Sequence, residues 1–258
     1  MIAVLLASLG AVFVLMLIGW GVSVIMNDAS IVDILWGLAF VVMAWTGFLT
    51  GHGARPRQLL LAGLVTVWGL RLSAYLARRN LGHGEDFRYR AMRRRRPNFV
   101  VWSLFGVFGL QGALAWIVAL PVQLAMADRT PARLGALATI GALLWVLGLA
   151  FEAVGDAQLA RFKKDPTSAG QVMDRGLWRY TRHPNYFGDF CVWWGIFLVA
   201  AESGSAALGV IGPIVMSILL TRVSGKALLE KTIGKRRPGY ADYVKRTNAF
   251  FPGPPRSS

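Results

Sequence analysis

From Met1 to Met26 the chain contains no charged side chain. About 20 apolar residues in a helix cross the hydrocarbon core of a bilayer. A segment surrounded by lipid must satisfy its own backbone hydrogen bonds, which a helix does and an isolated strand does not. Similar runs recur along the 258 residues, of which 55% are apolar and 16% charged; soluble domains carry about 25% charged residues. The runs predict an all-α polytopic membrane bundle of seven transmembrane helices, at 2–26, 31–50, 58–78, 99–124, 132–154, 187–202 and 206–222. They read as one integral-membrane domain over 1–258, with most motifs in 150–255. The first run lacks a basic leader and a small-residue cleavage site, so it reads as a span rather than a removed signal.

A formal net charge of +15 raises the question of nucleic acid, and the placement of the cations answers it. With the N-terminus outside, the loops 79–98 and 156–186 and the tail 223–258 share one side. With Arg78 and Arg222 they hold 8, 6 and 9 lysines and arginines, 23 of the chain's 28. Arg55, Arg57, Arg129 and Arg133 fall on the other side, and Arg71 within a span. This is the positive-inside pattern. It predicts a cytoplasmic C-terminus, a lipid bilayer rather than nucleic acid as the partner of the charge, and a bacterial inner membrane. No protein partner is predicted. The single cysteine, Cys191, permits no intrachain disulfide. His52, His83 and His183 lie far apart, without H-E-x-x-H or C-x-x-C, so no metal site is predicted. Neither a Walker motif nor a G-x-G-x-x-G after a strand occurs.

Ionisable groups inside spans are costly and point to function. Asp33, in "SIVDILWG", is either a helix-end acid favoured by the macrodipole or a functional carboxyl. Arg71 and Tyr75 lie four residues apart on one helix face; Arg71 either snorkels or lines a polar pocket. Gln111, in "FGLQGALAW", either bridges two helices or faces substrate. Glu152 and Asp156 are an i,i+4 acid pair close to Arg161, Lys163 and Lys164. They form either a solvated helix end or a rim that binds ribose hydroxyls and phosphates.

The stretch "RHPNYFGD" (182–189) sets polar chemistry directly before the apolar run "FCVWWGIFLVAA". Arg182 can hold a phosphate, Asn185 offers donor and acceptor to an amide, Tyr186 can stack or donate, and Asp189 can accept from a hydroxyl or carboxamide. In the tail, Lys235, Arg236, Arg237 and Tyr240 repeat the phosphate-plus-ring combination. A positive flank alone would need only charge.

"GLWRYTRHPNYFGDFCVWWG" and "RRPGYADYVKRTNAFFP", with "DILWG", "WGLRLSAYLARRN" and "LQG" upstream, resemble the bacterial branch of the steroid 5-alpha-reductase family. Sterol C14/C7 reductases and isoprenylcysteine carboxyl methyltransferases carry related Arg-His-Pro motifs. The resemblance implies a seven-helix reductase that uses NADPH to saturate the C4–C5 double bond of a 3-oxo-4-ene steroid by hydride transfer to C5. It maps the nicotinamide and ribose contacts onto Asn185 and Asp189, and further cofactor contacts onto Asp156, Lys163, Arg71 and Arg222. The rest of the expected cofactor set is Arg79, Asn80, Arg161, Arg182, His183, Tyr186, Lys226, Arg236, Arg237 and Tyr240. Asp33, protonated through burial, and Tyr75 are the expected catalytic donors. Trp36, Trp68 and Gln111 are the expected substrate contacts for a sterol, steroid or other apolar enone. Asp33 and Trp68 stand nearest to the acid and tyrosine that grip the ketone in animal members.

Two other classes compete: an S-adenosylmethionine-dependent membrane methyltransferase of the isoprenylcysteine carboxyl methyltransferase type, and a non-enzymatic membrane lipid-binding protein. S-adenosylmethionine has no phosphate and less need of the basic array. Asp33 and Arg71 within spans weigh against the second.

Overall fold

The computed structural model describes residues 1–223 and 239–256, and no strand occurs among them. Its helices are α1 (Ile2–Met26), α2 (Ile31–Thr50), α3 (Arg55–Asn80), α4 (Phe87–Arg95), α5 (Phe99–Val118), α6 (Leu120–Ala127), α7 (Ala136–Lys164), α8 (Pro184–Ala201), α9 (Gly204–Val223) and α10 (Tyr240–Arg246). Six of them, α1, α2, α3, α5, α7 and α9, are long and apolar enough to cross a membrane. The protein is therefore an all-helical, multi-pass membrane protein.

Two of the expected spans come out differently. The run expected over 187–202 lies in α8, which opens with "PNYFGD"; its polar first turns keep it out of the six. The run expected over 99–124 stops at Val118, and α6 starts afresh with Pro121 in its first turn. Proline has no amide hydrogen to continue a helical ladder and is tolerated in a first turn. The chain forms two compact units, Met1–Thr139 with Ile196–Gly212, and Ile140–Gly195 with Pro213–Ser258.

In the first unit α1 buries a stripe of mostly small residues, Val4, Ser8, Val12, Met16, Gly19 and Ser23, while Leu6, Phe13, Ile18 and Ile25 stay exposed. Small residues let helix backbones approach where lipid removes the hydrophobic drive to associate. α2 and α3 use the same device: a Cβ on Gly37 would meet the Gly69 carbonyl oxygen at 2.4 Å. Ser73 Oγ donates to the Ile34 carbonyl at 2.8 Å across that contact. At the far end of α3, buried Arg57 donates to the carbonyls of Asp128 (2.6 Å), Pro131 (3.0 Å) and Thr130 (3.2 Å). Gln58 Nε2 adds a bond to the Met126 carbonyl at 2.9 Å. These donors satisfy carbonyls at and beyond the end of α6, where the helical ladder stops.

The second unit is built on glycines seven residues apart. Gly141 and Gly148 of α7 face Gly195 and Gly188 of α8, and Gly155 faces Pro184 and Asn185 at the start of α8. A Cβ on Gly188 would meet both the Gly148 carbonyl oxygen and the Glu152 amide nitrogen at 2.5 Å, and one on Gly195 would meet the Gly141 carbonyl oxygen at 2.6 Å. This close seam sets the first turns of α8 beside Glu152 and Asp156. The seven-residue period matches the left-handed crossing of apolar helices.

Candidate functional site

In the first unit Asp33 lies in the first turn of α2. The loop after α3 returns over this turn. Glu85 accepts from the Ala29 amide at 3.0 Å and pairs with Arg93 at 2.7 Å. Asp86 caps α4, accepting from the Arg88 amide at 2.9 Å. So anchored, α4 presents two consecutive side chains to Asp33. Arg88 Nη2 lies 2.6 Å from Oδ2, and the Tyr89 hydroxyl donates to Oδ1 at 2.6 Å. Gln111 Nε2 donates to the same hydroxyl at 3.2 Å. Gln111 follows a π-helical stretch, Leu104–Gly109. The wider turn of such a stretch rotates what comes after it, and such turns recur at functional sites.

Tyr89 is only 5% exposed. Burial first, and then the neighbouring Asp33 charge, hold its hydroxyl well above the ordinary tyrosine range. For Arg88 burial acts the other way, and the Asp33 charge together with the Asp86 bond outweighs it, so the guanidinium is held more firmly charged. Asp33 thus has the Arg88 guanidinium on one oxygen and the Tyr89 phenol on the other. The Tyr89 phenol, which the sequence reading did not single out, stands beside the acid. The run "RYRAMRRRR" reads as charge alone; its one tyrosine was the available signal.

The other expected residues of this unit form their own contacts. The Arg71 guanidinium lies 5.6 Å from the Tyr75 ring centroid. Arg79 Nε donates to Asn80 Oδ1 at 3.0 Å. Trp36 packs edge-on against Phe40 at 5.3 Å, and Phe40 against the fully buried Trp68 at 5.5 Å.

In the second unit Glu152 and Asp156 are each 3% exposed, so they are not a solvated helix end. Asn185 Nδ2 donates to Asp156 Oδ1 at 3.1 Å, while Asn185 Oδ1 accepts from the Tyr186 amide at 3.1 Å. Asp189 is half-buried one turn along the same helix. Arg161 and Lys163 are exposed in the last turns of α7, and Arg222 is exposed near the end of α9.

Arg182 and His183 turn to the C-terminal segment. Arg182 Nη1 donates to the Val244 and Thr247 carbonyls, both at 3.0 Å, and the Arg182 amide donates to Asn248 O at 2.9 Å. His183 Nδ1 lies 3.1 Å from the Ala249 carbonyl, and its ring stacks on Tyr186 with centroids 5.6 Å apart. The Tyr243 hydroxyl donates to Trp178 O at 2.6 Å, and buried Tyr240 packs on Tyr243. Arg182 thus bonds to the C-terminal segment through both its side chain and its amide. Lys226, Lys235, Arg236 and Arg237 lie outside the described residues.

Residues 19–247 match the family described as "Protein of unknown function (DUF1295)", and the chain belongs to it. An uncharacterised protein of Schizosaccharomyces pombe is 27% identical over 93% of this chain and 77% of its own length. No solved structure matches the chain.

Proposed function

We propose that this DUF1295 member is a membrane-embedded, NADPH-dependent reductase that saturates the C4–C5 double bond of a 3-oxo-4-ene steroid or a similar apolar enone. The observation that carries the reading is the buried Tyr89 phenol, held by Asp33 and Gln111 and backed by Arg88. Reduction of an enone at its beta carbon drives charge onto the ketone oxygen. A preorganised donor aimed at that oxygen is worth about 3–4 kcal/mol of barrier. In this reading Tyr89 is that donor. On the same reading Asp33, itself held by Arg88, orients the phenol, and the phenol gives its hydrogen bond to the incoming ketone. Tyr75 with Arg71 is the second donor pair in this unit.

The polar residues of the second unit fit NADPH. Asn185, held by Asp156, offers the donor and acceptor that a carboxamide needs. Buried carboxylates suit ribose hydroxyls, and the exposed Arg161, Lys163 and Arg222 suit phosphates. When bound, NADPH supplies the hydride that adds to C5. Arg182 and His183 contribute by fixing the C-terminal segment that carries Tyr240. The excess of cations on one set of loops supports a cofactor side facing the cytoplasm. The resemblance to the steroid 5-alpha-reductases carries the choice of substrate class.

Thermal melts of the detergent-purified protein with NADPH, NADH and S-adenosylmethionine test the reading, because a ligand that binds only the folded state raises its apparent stability. NADPH is expected to raise the melting temperature and S-adenosylmethionine to leave it unchanged. A shift with S-adenosylmethionine alone would favour the methyltransferase and overturn the proposal.

A further inference from the structure

The inner face of α4 carries Arg88, Tyr89 and Arg93, all engaged within the first unit. Its outer face is different. At 100° per residue, Arg90, Arg94, Phe87, Ala91 and Arg95 follow one another around a single arc, and all five are exposed. Arg90, Arg94 and Arg95 make no ion pair among the described residues. Phe87, 56% exposed, sits in the middle of that arc.

The neighbouring chain gives this face its depth. The Arg93 guanidinium lies 4.4 Å from the centre of the Phe99 ring, and that of Arg96 lies 4.6 Å from Trp102. Both rings stand in the first turns of α5, a helix long and apolar enough to span, whose Val101 and Phe105 are exposed. Trp102, half-buried at the start of this span, is the kind of ring that marks the headgroup level of a bilayer. The three unpaired arginines therefore stand where lipid phosphates lie, with Phe87 facing the acyl boundary. Basic residues flanking an exposed apolar side chain are the pattern of a helix lying in the interface. A soluble nucleotide or free phosphate would satisfy the arginines but would leave Phe87 in water.

We propose that the outer face of α4 is a binding site for anionic phospholipid, in which Arg90, Arg94 and Arg95 hold headgroup phosphates and Phe87 enters the acyl boundary. The proposal holds whether or not the protein reduces enones. Because α4 also carries Arg88 and Tyr89, lipid on its outer face steadies the helix that presents them to Asp33.

The test is native mass spectrometry of the full chain in detergent, titrated with dioleoylphosphatidylglycerol and, separately, dioleoylphosphatidylcholine. Each basic residue near the surface is worth about five-fold in attachment to anionic lipid, so three give on the order of 100-fold. The triple variant Arg90→Gln, Arg94→Gln, Arg95→Gln is expected to lose most of the preference for phosphatidylglycerol. A charge-matched triple, Arg175→Gln, Arg179→Gln, Arg256→Gln, is expected to keep it, as is the parent in millimolar NADPH or inorganic phosphate. Phe87→Ser is expected to weaken binding of both lipids. These side chains are exposed, so the variants should fold, and retention of the parent's circular dichroism checks this. Unchanged phosphatidylglycerol preference in the α4 triple would overturn the proposal. So would an equal loss in the control triple, which would make the effect one of net charge. Displacement of the lipid by NADPH or inorganic phosphate would also overturn it, assigning the arginines to a soluble anion.

Discussion

Two charged motifs border apolar helices in this protein, and they end on different kinds of partner. In the first unit Asp33, Arg88, Tyr89 and Gln111 bond side chain to side chain. In the second, Arg182 and His183 reach backbone carbonyls of the C-terminal segment. A carbonyl left unpaired in a buried place has nowhere to turn, so a cation that satisfies it holds the fold. A phenol resting on a carboxylate can rotate to a ligand oxygen while the carboxylate keeps its guanidinium. Under the proposed function the first cluster is the place for chemistry and the Arg182–His183 pair braces the C-terminal segment, with Asn185 and Asp156 between these extremes because they bond to each other.

The comparison breaks most readily at Tyr89. Tyr89→Phe removes only the hydroxyl, and turnover is expected to fall by about 10²–10³, the cost of losing one donor to a developing oxyanion. Cofactor affinity should stay close to the parent's, and stability should fall by about 1–3 kcal/mol for the bonds lost at Asp33 and Gln111. Because burial and the Asp33 charge hold the phenol protonated above its ordinary value, the parent's rate should show no alkaline fall from Tyr89 up to the ordinary tyrosine pKa of about 10. A fall well below that pH, absent from Tyr89→Phe, would contradict the assignment.

Arg182→Ala should act in the opposite sense. It removes the donor to two carbonyls, at about 1–3 kcal/mol for each group left unpaired. Denaturation in mild detergent should show that loss, and limited proteolysis should open the C-terminal segment first. An Arg182→Ala protein with the parent's stability and weakened NADPH binding would return Arg182 to the cofactor. A smaller effect separates Asn185 from both. Asn185→Ala is expected to weaken NADPH about ten-fold, within the usual cost of one lost hydrogen-bond partner, which isothermal titration would measure. Unchanged affinity would make Asn185 only a brace for Asp156.

The spans were legible because each depends on a local run of residues, as in α1, which has no charged side chain between its ends. The end of α5 was legible in principle too, since Pro121 marks it. The seam between α7 and α8 was written in glycines seven apart, a period that yields meaning only when both helices are considered together. The partners of Asp33 were not legible. Arg88 and Tyr89 lie 55 and 56 residues further on, inside a run whose composition suggests only charge. For Arg182 the side chain was visible but its acceptors were not. They are main-chain carbonyls 62 and 65 residues away, and any sequence supplies carbonyls. The motif therefore pointed to a polar region while leaving open whether its cation faced a ligand or the fold.

The most direct test of the account is where a hydride goes. The purified protein is to be incubated with progesterone and NADPH carrying deuterium at the transferable position, and the product analysed by mass spectrometry and deuterium NMR. The account predicts deuterium at C5 of a saturated 3-ketone in the parent, with the yield falling by about 10²–10³ in Tyr89→Phe. Deuterium at the ketone carbon would show a carbonyl reductase, and full C5 labelling by Tyr89→Phe would remove the phenol from the chemistry; either result contradicts it.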